Sequence, residues 1–149
     1  MQGYILKIAY KGTSFCGWQV QPEKTTVQAT LQAACTTVFG CDVDVTGCSR
    51  TDSGVHAKGF VALVSGNELP DIPLDSLPLA INTRLPEDVS VLEASVAPEG
   101  FHPRYDAKGK EYIYVVRNSR LRDPFTADTS WQFPRYIDAE VADSLCQEF

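Results

Sequence analysis

The amino-acid sequence predicts an α+β fold, on three observations. Several short segments alternate apolar and polar residues, one longer segment repeats its apolar residues at helical spacing, and polar turns separate them. The first strand is expected from Tyr4 to Tyr10, where the alternation begins. Thr25 or Thr26 can then cap a helix that gathers Val27, Leu31, Ala34, Cys35 and Val38 on one face before Gly40 ends it. Asp42 to Thr46, with Val43 and Val45 alternating, and the apolar run Phe60-Val61-Ala62-Leu63-Val64 read as two strands flanking a polar loop. Further on, the pattern predicts a short helix near Leu74 to Asn82 and strands at Val89 to Ala97 and Lys110 to Arg117. The segment from Leu121 to Pro134, with two prolines and several turn residues, reads as a long loop. Asp138 is placed to cap a last helix through Val141, Leu145 and Phe149, and the sequence stops inside it with no glycine or polar stop.

Composition sets the bounds. A chain of 149 residues, 44% hydrophobic and 21% charged, suits one domain with its own core. Five cysteines form no framework spacing, and neither a leader nor a bilayer-length apolar run is present, so free thiols in a reducing cytoplasm are expected. A net charge of -6 disfavours phosphate binding as an average, yet the charge is uneven. Between Phe101 and Arg122 stand six basic residues, Arg104, Lys108, Lys110, Arg117, Arg120 and Arg122, against Asp106 and Glu111. Interleaved with Tyr105, Tyr112 and Tyr114, this patch reads as an RNA face or as solubilising charge beside an exposed strand.

The polar loop Gly47-Cys48-Ser49-Arg50-Thr51-Asp52-Ser53-Gly54-Val55-His56-Ala57 is where chemistry is expected. An Asp ionises with a pKa of about 3.9, and a neighbouring Arg favours the charged form, so Asp52 beside Arg50 suits a nucleophile or base. The competing reading makes Asp52 and Ser53 turn caps and Gly54 a residue needed only for a positive φ. His56 and His102 are the two histidines of the chain. Cys35, Cys41 and Cys48 lie too far apart for a Cys-x-x-Cys pair, which leaves a zinc site without ligands. His56, four residues after Asp52, reads as a general base or as a structural hydrogen-bonding group. Gly12-Thr13-Ser14-Phe15-Cys16-Gly17 is one residue too long for the Gly-x-Ser-x-Gly elbow of a hydrolase.

Arg50-Thr51-Asp52-Ser53-Gly54-Val55-His56-Ala57 resembles the RTDxGVHA signature of the TruA family of tRNA pseudouridine synthases. Four further segments resemble that family in order: Tyr10 to Gln21, Ile81 to Val89, Phe101-His102-Pro103-Arg104, and Lys110-Glu111-Tyr112-Ile113-Tyr114. The resemblance implies the pseudouridine synthase fold, a ferredoxin-like α+β domain with a mainly antiparallel sheet and helices on one face. It places the catalytic nucleophile on Asp52, which in similar enzymes breaks the glycosidic bond of uridine so that the base rotates and rejoins through C5. Attack on the base, attack on the sugar and abstraction of a sugar proton all remain open.

By the same resemblance Arg50 is the arginine inserted into the RNA as the target leaves, while the residues alone also allow an ion-pair partner of Asp52. Tyr112 is core by its alternation with Tyr114 and Val116, but the resemblance makes it the tyrosine that contacts the base; Tyr114 keeps the core reading. The resemblance thus implies an isomerase without metal or organic cofactor, acting on tRNA in the anticodon stem-loop, cytoplasmic and homodimeric. Family members run much longer, so residues 1–149 look like the N-terminal half of the catalytic domain, stopped within a helix and inactive alone. Two other readings are a non-catalytic RNA-binding module on the same scaffold and a small hydrolase using Asp52 and His56.

Overall fold

The computed structural model describes residues 3–147, and Phe149, expected in the last helix, lies outside them. The chain divides into two compact units, Met1–Gly109 and Lys110–Phe149. In the first unit the order is β1 (Gly3–Tyr10), a single 3-10 turn (Gly12–Ser14), α1 (Val27–Phe39), β2 (Asp44–Gly47), β3 (Ala57–Ser65), α2 (Leu77–Asn82) and β4 (Val89–Val96). The strands form one sheet in the order β2-β3-β1-β4, antiparallel throughout. This β-α-β-β-α-β order is the ferredoxin-like arrangement.

Alternation along β1 sends Tyr4, Leu6, Ile8 and Tyr10 into the core and leaves Lys7 exposed, where its Nζ pairs with Glu93 at 2.7 Å. Tyr4 stacks on Phe39 of α1 with ring centroids 5.4 Å apart, and Leu31, Cys35, Leu77 and Ile81 from both helices join the same core. Thr26 caps α1, its side chain accepting from the Ala29 amide, and Gly40 ends the helix in the left-handed region. Phe39 takes the fully inward place on that helix; Val38 is only partly buried against the core.

Side-chain amides cover both edges of the sheet. Gln28 and Gln32 donate to the carbonyl oxygens of Val45 and Val43 at 2.8 and 2.9 Å. Asn82 donates to the Val91 carbonyl at 2.9 Å and accepts from the Val91 amide at 2.7 Å, so it pairs with β4 as a neighbouring strand would. Asp88 holds the segment after β1: its carbonyl accepts from the Lys11 amide at 2.8 Å and its carboxylate from Ser14 Oγ at 3.2 Å.

The second unit holds β5 (Val116–Asn118), β6 (Trp131–Phe133) and α3 (Ala139–Cys146), with β5 and β6 paired in parallel. This corrects two expectations. Of the strand foreseen over Lys110 to Arg117 only Val116 and Arg117 lie in a strand, and Tyr114, read as core, is 89% exposed. The segment foreseen as loop supplies β6, because three residues that pair with a distant partner leave no local periodicity to read. Asp138 Oδ1 caps α3 by accepting from the amides of Glu140 and Val141 at 3.0 and 3.2 Å. Among the described residues no helix is long and apolar enough to cross a membrane.

Candidate active-site loop and its two clefts

Residues 48–56 leave β2 and enter β3, two paired strands, so both ends of the loop stand on the sheet. Its middle is fixed by the segment between β1 and α1. The Trp18 amide donates to the Thr51 carbonyl at 3.0 Å, and the Gly54 amide and Ser53 Oγ donate to the Phe15 carbonyl at 3.3 and 3.2 Å. The Gly12 amide donates to His56 Nδ1 at 3.0 Å, which gives His56 a structural role and commits that nitrogen as an acceptor.

Two positions in this embrace have backbone that only glycine adopts readily. Gly17 (φ +83°) passes so close that a Cβ there would lie 2.6 Å from the Thr51 carbonyl oxygen, whereas Gly54 (φ +82°) has open space around it. Underneath lies an aromatic cluster: Trp18 and Phe60 have ring centroids 4.3 Å apart, and Tyr10 and Phe60 5.7 Å apart. Tyr10 Oη and Thr51 Oγ1 are 2.8 Å apart. Burial, only partly offset by that hydrogen bond, raises the Tyr10 pKa above its ordinary value, so the phenol stays protonated.

On this support Asp52 is exposed. Its carbonyl accepts from the Val55 amide at 3.2 Å, while among the described residues its carboxylate takes no hydrogen bond and no ion pair. The turn is thus held by Ser53, Gly54 and main-chain groups, leaving the Asp52 carboxylate unengaged. Arg50 is exposed as well and does not pair with Asp52, which corrects the reading of Arg50 as an ion-pair partner. A guanidinium on a loop this solvated gains little by holding one geometry.

Two clefts open on either side of Arg50 and Gln19, which line both. One, of about 410 Å³, contains Asp52 with Lys24, Gln21 and Cys16. The other, of about 280 Å³, runs from Trp18 and Thr46 to His102, Arg104 and Tyr105. Among the described residues Asp52 is the single carboxylate lining either cleft. Lys24 escaped the sequence reading of the site, whereas Arg104 and Tyr105 of the second cleft were read there as members of the basic, tyrosine-bearing patch.

Tyr112 belongs to the second unit, in the stretch before β5, and is 66% exposed, so its expected core burial by alternation is not found. Of the basic residues foreseen as one patch, Arg104 lies in the first unit's cleft, and Arg117 is paired with Asp123 at 3.1 Å. All five cysteines are free, and burial pushes the Cys35 thiol up to about 12. Among the described residues no three His, Cys, Asp or Glu side chains gather as a metal site would need.

The domain is thus ferredoxin-like, with one unpaired carboxylate, Asp52, in a cleft that Arg50 and Lys24 also line. Residues 7–106 match the family model described as tRNA pseudouridine synthase. Proteins named tRNA pseudouridine synthase A are similar over much or all of the chain: 44% identical over all 149 residues in Aquifex aeolicus (strain VF5), covering 61% of that protein. The one from Geobacter sp. (strain M21) is 39% identical over the whole chain and 60% of its own length. That of Ruminiclostridium cellulolyticum is 49% identical over 121 residues, 80% of this chain and 48% of that protein. The chain belongs to the tRNA pseudouridine synthase family, and it spans about three fifths of the length of the Aquifex and Geobacter proteins.

Proposed function

We propose that the protein isomerises uridine to pseudouridine in the anticodon stem-loop of tRNA, with Asp52 as the nucleophile and no metal or organic cofactor. The observation that supports this best is the exposed, unengaged Asp52 carboxylate on a loop fixed by main-chain bonds, facing a cleft that also holds Lys24 and Arg50. The reaction breaks the N1–C1′ bond, turns the uracil and forms C5–C1′, with the proton lost from C5 balanced by one gained at N1. An ionised carboxylate beside the flipped nucleotide can serve that sequence as attacking group or as base. The two cations attract the phosphates, Arg50 fills the place the target base leaves, and Tyr112 stacks on the uracil.

The same proposal takes the protein as a cytoplasmic homodimer, and residues 1–149 as the N-terminal half of the catalytic domain, inactive without the rest. The test is Asp52→Asn in the full gene-encoded chain, assayed by tritium release from tRNA labelled at uridine C5. The amide keeps the size of the side chain but supplies neither nucleophile nor base, so the rate should fall on the order of 10⁴-fold while tRNA affinity stays within a few-fold. Activity within about tenfold of the parent overturns the assignment of Asp52.

A further inference from the structure

Among the described residues the Asp52 carboxylate takes no hydrogen bond and no ion pair, so its direction is set by its neighbours. Thr51, one residue before it, is held at two points. Its carbonyl accepts from the Trp18 amide at 3.0 Å, and its Oγ1 is 2.8 Å from Tyr10 Oη. That carbonyl belongs to the peptide unit that also carries the Asp52 amide, so holding it fixes the plane from which the Asp52 Cα leaves. The hydroxyl fixes the other side of Thr51: a β-branched residue has few χ1 wells, and a bond at Oγ1 selects one of them.

Tyr10 is built as a rigid arm. It ends β1, where it pairs with Ala57 of β3 on one side and Val89 of β4 on the other. Its buried ring lies against Phe60 and Trp18, with centroids 5.7 and 6.4 Å away. Trp18 in turn lies so close over Gly47 that a Cβ there would stand 2.5 Å from the indole. The contacts close on themselves: Tyr10 ring to Trp18 ring, Trp18 amide to Thr51 carbonyl, Thr51 hydroxyl to Tyr10 hydroxyl. None of the three can turn without breaking a contact of the other two. Phenylalanine would fill the same core space, so packing alone does not account for a hydroxyl here; the buried phenol oxygen finds its partner in the loop. Tyr10 lines neither cleft, whereas Thr51 lines the one that holds Asp52.

We propose that Tyr10 is a positioning residue for the isomerisation: through Thr51, its hydroxyl aims the Asp52 carboxylate at the nucleotide in the cleft. This rests on the functional proposal above, in which Asp52 reacts, and adds to it the group that holds the nucleophile in line. A reacting group must be kept within about 0.5 Å of its productive place, and a misplacement of about 1 Å can cost about 10²-fold in rate. A hydroxyl that never meets the substrate therefore governs kcat and leaves KM alone.

The experiment uses the full gene-encoded chain, tRNA tritiated at uridine C5, and the variants Tyr10→Phe, Thr51→Val, Thr51→Ser and the double variant Tyr10→Phe/Thr51→Val. Tyr4→Phe is the control, since Tyr4 is a buried tyrosine of the same strand whose hydroxyl donates to the Pro70 carbonyl at 3.0 Å, outside the Asp52 loop. Tyr10→Phe and Thr51→Val are each expected to lower kcat about tenfold or more with KM within about twofold. Thr51→Ser, which keeps the hydroxyl, should stay within about threefold of the parent, and the double variant within about twofold of the slower single, because the two hydroxyls make one bond. Tyr4→Phe should lower stability and spare kcat. Hydrogen exchange at the Trp18 amide reads the same loosening without turnover, and should quicken in Tyr10→Phe by about threefold or more beyond any change in Tyr4→Phe. A parent-like kcat in Tyr10→Phe, an equal fall in Tyr4→Phe, or losses that multiply in the double variant each overturn the positioning role while leaving the isomerase reading intact. A parent protein that forms no pseudouridine refutes the isomerase reading; the hold of Tyr10 on the loop is then decided by exchange, and an unchanged Trp18 amide in Tyr10→Phe overturns it.

Discussion

Gly17 and Gly54 make a matched pair for measuring what the close approach behind the signature loop is worth. Their φ angles are +83° and +82°, but a Cβ at Gly17 meets the Thr51 carbonyl oxygen at 2.6 Å and one at Gly54 meets nothing within 4 Å. Alanine at either site incurs the left-handed penalty of about 1–2 kcal/mol. At Gly17 it must also displace Thr51 main chain, which strains the Trp18 N–H bond of 3.0 Å and overpacks the contact, for a further loss of about 1–3 kcal/mol. Urea unfolding of the two variants against the parent reads the difference: with m of about 2 kcal/mol/M, the Gly17→Ala midpoint should fall about 1 M below that of Gly54→Ala. Equal midpoints for the two variants would mean that the Thr51 carbonyl is not fixed by this approach, and the account of a rigidly held loop would be wrong.

Two other predictions concern buried side chains. Cys35 has its thiol pKa raised by burial to about 12, above the ordinary 9.0, so the folded state holds the proton that the unfolded state releases. Stability is therefore fully present below about pH 9 and declines as pH rises from there toward about 12; Cys35→Ala should flatten that decline in alkaline unfolding curves, and an unchanged slope would refute the buried-thiol account. For the Tyr10–Thr51 hydroxyl pair at 2.8 Å, a double-mutant cycle of Tyr10→Phe and Thr51→Val should give a coupling of about 0.5–1.5 kcal/mol, whereas additive losses would show that the bond contributes nothing.

The parts of the fold legible in the sequence were those with a local cause. Alternation at Tyr4 to Tyr10, the cap at Thr26 and the stop at Gly40 each act within a few residues, and each element formed where its pattern stands. The second unit was less legible. Tyr112, Tyr114 and Val116 alternate as a strand does, yet only Val116–Asn118 finds a partner, and that partner, Trp131–Phe133, pairs in parallel from across an intervening segment. At the site, Asp52 and Arg50 stood out because a polar loop between apolar runs concentrates reactive groups. The shared partition of Arg50 and Gln19, and the second cleft beyond it, depend on bringing residues 19, 50 and 104 together, which no spacing in the chain records.

The embrace of the signature loop by residues 12–18 also bears on how this protein can change over generations. Trp18 grips Thr51, and Phe15 grips Gly54, through main-chain atoms that every non-proline amino acid carries. Exchanging most side chains along either segment leaves those atoms in place, so the spelling of the two segments has some freedom. Their lengths do not: a single inserted or deleted residue moves each donor off its acceptor and rotates Asp52 away from its cleft. The loop is better described as a measured length of chain than as a set of letters, and folding in a library of variants should tolerate exchanges at exposed positions other than Gly54 and almost no insertions.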